Sequence, residues 1–192
     1  MKRLFKLNWM LILVAPVVGF AIMAGLWLSV TAAYENIRLA RASNQLLGVV
    51  AKARDMTVEV SADGKVLTSY LIDRLVQEEG MHVVKDPQTN ARVLVNPWDH
   101  LVDVALLPPT QQLKLMTEMP AVACRRLILS YASEVTAFKL QHMEAWNAQA
   151  AKAPRLIYDA AITDKTPLRP DTVLGGCGRN GWVVLSLTFS LR

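Results

Sequence analysis

The sequence has little of what catalytic centres are usually built from. Histidine occurs three times in 192 residues, as His82, His100 and His142. No two of them stand at the i to i+4 spacing with which a helix presents a zinc site. Asp99-His100 beside Trp98 has no serine or cysteine in a strained Gly-x-Ser-x-Gly setting to activate, so it reads as a solvated turn. The glycine-rich stretch Gly175 to Gly181 lacks the lysine of a phosphate loop and follows no evident strand-to-helix unit. It reads as a loop whose backbone needs unusual angles around Cys177. Glu78 and Glu79 are the clearest carboxylate pair, but adjacent helical residues do not face one another, so they read as a solvated helix end. These absences point away from an enzyme and give no site for a metal or a cofactor.

Charge of one sign is also scarcer than the total implies. Of the formal +5, three charges are Lys2, Arg3 and Lys6, which leaves about +2 for the rest of the chain. That is too little for a nucleic-acid partner, and the basic N-terminus is better read as a membrane-topology signal.

What the sequence has in excess is apolar residues, 53% of the chain. They concentrate at the N-terminus: from Trp9 to Val30 no charge occurs, and at 1.5 Å per residue this run spans ~33 Å, enough to cross a bilayer. Basic residues before it and Glu35 after it predict a cytoplasmic N-terminus (1–8), a single membrane span (9–30) and an exported remainder (31–192), as in a single-pass inner-membrane protein with a periplasmic domain. Pro16 lies inside the span, where it is tolerated. A signal sequence cut after Ala32 is the competing reading; the run is longer than the ~7–15 residues of a signal core, which favours an anchor.

Helical spacing continues past the span, with Leu39, Ala42, Leu46, Val49, Val50 and Ala53 on one stripe and Arg41, Asn44, Lys52 and Arg54 between them. One helix from about Trp9 to Arg54 is expected, its part from 31 to 54 laid on a domain. Ser61 to Gly64 predicts a break, and Leu67, Tyr70, Leu71 and Leu75 a shorter helix ending near Gly80. Strands are expected at Arg92 to Val95, Leu101 to Leu107 and Leu113 to Met119. Pro120 then opens a helix with Cys124, Leu127, Ile128, Tyr131 and Val135 on one face. A strand near Ala137 to Gln141 is an option, and Glu144 to Pro154 reads equally as helix or excursion. Finally Leu185, Leu187, Phe189 and Leu191 alternate with Ser186, Thr188 and Ser190, which predicts a C-terminal strand with one packed face. There is no internal repeat. The fold class expected is α+β, a long N-terminal helix packed on an antiparallel sheet.

Two cysteines in an exported domain favour one bridge, Cys124 to Cys177. In a reducing compartment the same pair would be two buried thiols.

Several short segments in order along the chain carry a resemblance: Ser69-Tyr70-Leu71, Asn96-Pro97-Trp98, Met119-Pro120-Ala121-Val122-Ala123-Cys124-Arg125-Arg126-Leu127, and Cys177-Gly178-Arg179-Asn180-Gly181 before a terminal strand. Together with a membrane helix that runs on into an amphipathic one, this resembles the type IVb pilins, in the branch of the plasmid thin pilus and the toxin-coregulated pilus. The resemblance implies a pilus-type subunit, with other pilin-like or pilus-assembly proteins as partners and oligomerisation open to it. Pilins are cut after a glycine and carry a glutamate four residues beyond the new N-terminus. After Gly19 that position is Ala24, and a cut there would shorten the span. The expected function is therefore a membrane-anchored accessory or minor subunit of a type IV pilus, secretion or conjugation machine. The alternatives are a pilin processed after Gly19 and a periplasmic binding protein released after Ala32.

Overall fold

A computed structural model describes residues 2–57, 64–79, 81–87, 90–107, 111–131, 139–147, 153–161 and 168–191. Helix α1 runs over Lys2–Thr57, longer at both ends than the sequence pattern implied, and continues through Pro16. The chain divides into two compact units, Met1–Arg38 and Leu39–Arg192.

The first unit is the N-terminal part of α1. Among the described residues its large apolar side chains lie in the open, including Phe20, Met23, Trp27, Leu28 and Val30. Polar groups there are satisfied locally: Ser29 Oγ donates to the Gly25 carbonyl and Thr31 Oγ1 to the Leu28 carbonyl, both at 2.9 Å. Hydroxyls bonded back onto their own helix need no water.

The second unit is built on the rest of α1. Ala42, Leu46, Val49, Val50, Ala53 and Met56 are buried, a stripe at helical spacing that joins one hydrophobic core. Polar contacts that fix this stretch include Ser43 Oγ with the Tyr131 hydroxyl at 3.2 Å, Gln45 Nε2 donating to the Val95 carbonyl at 2.9 Å, and Arg54 Nη2 to the Ser190 carbonyl at 3.5 Å. Helix α2 (Gly64–Glu79) buries Leu67, Leu71, Ile72 and Leu75. Its outer edge is held by Asp73, which accepts from Arg92 Nη1 at 3.0 Å, and by Thr68 Oγ1, which accepts from the Leu106 amide at 3.2 Å.

Among the described residues the strands are β1 (Val83–Lys85), β2 (Arg92–Val95), β3 (Leu101–Leu107), β4 (Gln112–Pro120), β5 (Leu140–Asn147), β6 (Arg155–Asp159) and β7 (Trp182–Ser190). They form one antiparallel sheet in the order β1-β2-β3-β4-β7-β5-β6. The last strand is thus central, inserted between β4 and β5. Its register sets Leu187 between Leu115 and Met143 on the core face, each of them almost fully buried. A fully buried side chain of this size contributes about 1.5–3 kcal/mol. On the opposite face Ser186 lies between Met116 and Glu144 and is only 2% exposed. The polar alternation of this strand was legible; that its polar positions are partly covered was not.

Helices α3 (Ala121–Tyr131) and α4 (Pro170–Cys177) complete the fold. The sequence reading of Gly175 to Gly181 as a single loop is corrected here: Gly175, Gly176 and Cys177 are the last turn of α4. Pro170 at the start, Asp171 in the first turn and Gly178 at the end, with φ 72, explain its limits. Gly178 and Gly181 (φ 88) do adopt the positive φ expected of this stretch. Of the expected strand near Ala137 to Gln141, Ala137 and Phe138 lie outside the described residues; β5 covers Leu140 to Asn147, so the opening of the undecided stretch Glu144 to Pro154 is strand. Val135 and Ser61 to Asp63 fall outside the described residues.

Candidate interaction surfaces

Cys124 and Cys177 are joined, with Cα atoms 5.9 Å apart, and link the first turn of α3 to the last turn of α4. Both are buried, so the bridge is a staple and not an exposed thiol pair. Arg125 reinforces it by donating from Nη1 to the carbonyls of Gly178 and Arg179, the latter at 2.9 Å. The Ala121 amide donates to the Gly181 carbonyl at 2.9 Å, closing the same corner. Gly176 lets α4 lie flat on β5 and β6, because a Cβ there would come within 2.5 Å of the Ile157 side chain. An open cleft of about 190 Å³ adjoins this corner, lined by Trp146, Asn147, Arg155 and Asn180 among others. Arg155 Nη1 is committed there to the Gly175 carbonyl at 3.1 Å.

The residues weighed as chemistry separate in space. His100 Nδ1 stands 3.3 Å from Glu118, and the imidazole ring lies 4.3 Å from the Trp182 ring. His142 meets Glu144 at 3.0 Å through Nε2 and Asp159 at 3.3 Å through Nδ1. The two histidines share no partner. His82 contributes its carbonyl to the Val95 amide. Among the described residues no group of three or more histidine, cysteine and carboxylate side chains is placed to hold a metal ion. The side chains of Glu78 and Glu79 fall outside the described residues.

Asn96-Pro97-Trp98 is a turn, held by an amide whose partners are all internal. Asn96 Nδ2 donates to Thr117 Oγ1 at 2.8 Å and to the Glu118 carbonyl at 2.7 Å, while its Oδ1 accepts from the amides of Trp98 and His100. The side chain is 5% exposed, and Asp99 takes φ 63 beside it. A buried amide with every donor and acceptor used fixes the entry to β3. It leaves nothing for a ligand.

Among the described residues the longest continuous exposed apolar stretch is the N-terminal part of α1. It is long and apolar enough to cross a membrane, with a window of mean hydropathy 1.8 and none of that window buried. Where its apolar residues end, Arg38 gathers its neighbours: the guanidinium lies 4.4 Å from the Tyr34 ring centroid, Nη2 donates to Tyr34 Oη at 3.2 Å and Nη1 to Glu35 at 3.4 Å. Sequence reading passed over this cluster, although an aromatic residue with an arginine four positions later is a visible signal.

No protein-family model matches the chain, and no curated protein matches it. Among solved structures it is similar to the crystal structure of a type IVb pilin from Salmonella typhi, with a TM-score of 0.52 and 15% identity over 78% of this chain and 97% of that chain. At this identity the likeness is one of fold, and the fold, a long apolar N-terminal helix with a seven-stranded antiparallel sheet, is that of the type IVb pilins.

Proposed function

We propose that this chain is a membrane-anchored, pilin-like accessory or minor subunit of a type IV pilus or of a related secretion or conjugation machine, and that it works through protein contacts without catalysis. The observation that carries the reading is the pairing of a pilin fold with a helical stretch whose large apolar side chains, among the described residues from Val14 to Tyr34, are exposed. A helix with no polar face needs an apolar surrounding on every side, which lipid or neighbouring helices supply.

Export to an oxidising compartment accounts for the Cys124–Cys177 bridge. The accessory role rests on Ala24. A pilin cut after Gly19 would carry its new α-amine into an apolar setting with no carboxylate four residues on, a costly arrangement in lipid.

Intact mass of the protein recovered from cell membranes without reductant tests the reading. An uncut chain lighter by two hydrogens than its reduced form is the expected result. A chain beginning at Phe20 and recovered in sheared fibres would make it a processed pilin. A soluble form beginning at Ala33 would make it a periplasmic protein and overturn the anchor.

A further inference from the structure

We propose that Tyr34, Glu35 and Arg38 form a headgroup-level collar that sets the outer lipid–water boundary of α1, placing Thr31, Ala32 and Ala33 within the membrane; this rests on the anchored reading above. No charged residue stands between Lys6 and Glu35, so the sequence leaves the outer boundary open over several residues. Three features support the placement.

First, the hydroxyls of Ser29 and Thr31 are turned onto the carbonyls of Gly25 and Leu28 and do not require water. Polar groups satisfied within their own helix are compatible with hydrocarbon. Second, the first charges after the run are held together. Arg38 spans Tyr34 and Glu35 at once, so the carboxylate nearest the lipid has a cation beside it and the phenol a donor. An isolated carboxylate at that depth would be costly. Long helical side chains reach back toward the N-terminus, which brings the guanidinium down to the level of Tyr34. A tyrosine with an amphipathic cation on its face is suited to the interface, where the ring contacts acyl chains and the guanidinium reaches phosphate oxygens.

Third, the lengths agree. A hydrocarbon layer of ~30 Å takes about 20 helical residues, so a span ending at Ala33 begins near Val14. Trp9 then falls about 7 Å beyond the hydrocarbon, at the inner headgroups, and the helix has an aromatic residue at each interface. A span from Trp9 to Val30 would instead set Trp9 at the inner edge of the hydrocarbon and leave Thr31 to Ala33 in water.

The test is labelling by a membrane-impermeant maleimide of full-length chains reconstituted in phosphatidylethanolamine/phosphatidylglycerol vesicles. The chains carry Leu26→Cys, Val30→Cys, Ala33→Cys or Arg41→Cys, and the native cysteines remain bridged. Flotation with the vesicles comes first, and chains that do not float sink the anchored reading itself. With flotation intact, Ala33→Cys is expected to react at least about tenfold more slowly than Arg41→Cys, as slowly as Val30→Cys and Leu26→Cys. Adding Tyr34→Ala and Arg38→Ala to Ala33→Cys should raise its labelling toward that of Arg41→Cys. Fast labelling of Ala33→Cys in the otherwise native chain, or a rate indifferent to the loss of Tyr34 and Arg38, overturns the collar while leaving the anchor standing.

Discussion

Two stretches of α1 use nearly the same residues for opposite ends. Leu26, Trp27 and Leu28 are more than half exposed, whereas Leu46, Val49 and Val50, about six turns further on, are sealed in the core at 3% exposure or less. Apolar content does not separate them, but the company they keep does. The second stretch has Arg41, Asn44, Lys52 and Arg54 interleaved, so its stripe has a polar back that tolerates water. The first has no such back. A helix therefore declares its solvent through what lies between its apolar residues, and one continuous helix can change solvent without any break in its backbone.

If that division is right, the stability of the fold belongs to Leu39–Arg192, and substitutions there should be felt while those in the exposed stretch are not. The largest expected loss comes from the staple. Replacing Cys124 and Cys177 together by alanine frees a segment of 53 residues and should lower stability by roughly 4 kcal/mol in the chain-entropy account, read by denaturant unfolding of the full chain in detergent. A loss below about 1 kcal/mol would move the stabilising role elsewhere. Next comes Leu115→Ala, at 1% exposure in the middle of the sheet, which should cost about 3 kcal/mol by the same measurement. Smaller again is Gly176→Ala. It should cost about 1–3 kcal/mol by forcing α4 off Ile157, and Ile157→Ala should recover part of that loss in the double variant. Simple additivity of the two would mean that the close approach is not the cause.

How legible all this was depends on whether a feature is periodic or local. The stripe from Ala42 to Ala53, the span, and the alternation of Leu185 to Ser190 were readable because a repeat of 3.6 or 2 residues announces which face is buried. The fold class followed from them, and the order of short motifs along the chain supplied the pilin resemblance. Strands β1 and β6 gave no such repeat. The first has only three residues, and the second is an edge strand in which Arg155 and Leu156 are both exposed. Helix α4 was hidden because three of its eight residues are Gly175, Gly176 and Cys177, which local propensity assigns to a loop. The bulge between Met143 and Glu144 likewise leaves no mark in sequence. As for the surfaces, the two cysteines were readable by counting, whereas the Arg125 contacts to the carbonyls of Gly178 and Arg179 join residues more than fifty apart. No local pattern reports a partner at that distance.

The smallest expected effect is the sharpest test of the comparison. Phe20 is 79% exposed, the most open of the large apolar side chains among the described residues. Phe20→Ala removes an aromatic ring, which from a packed interior would cost about 3–5 kcal/mol. Here it should change the unfolding free energy of the detergent-solubilised monomer by less than about 0.5 kcal/mol, as for a surface position. Its effect should surface only where the helix has an apolar neighbour, as weaker retention in vesicles or weaker association with partner helices. Destabilisation of several kcal/mol in the monomer would mean that the N-terminal stretch folds back onto the domain in solution, and the two stretches of α1 would then be parts of one core.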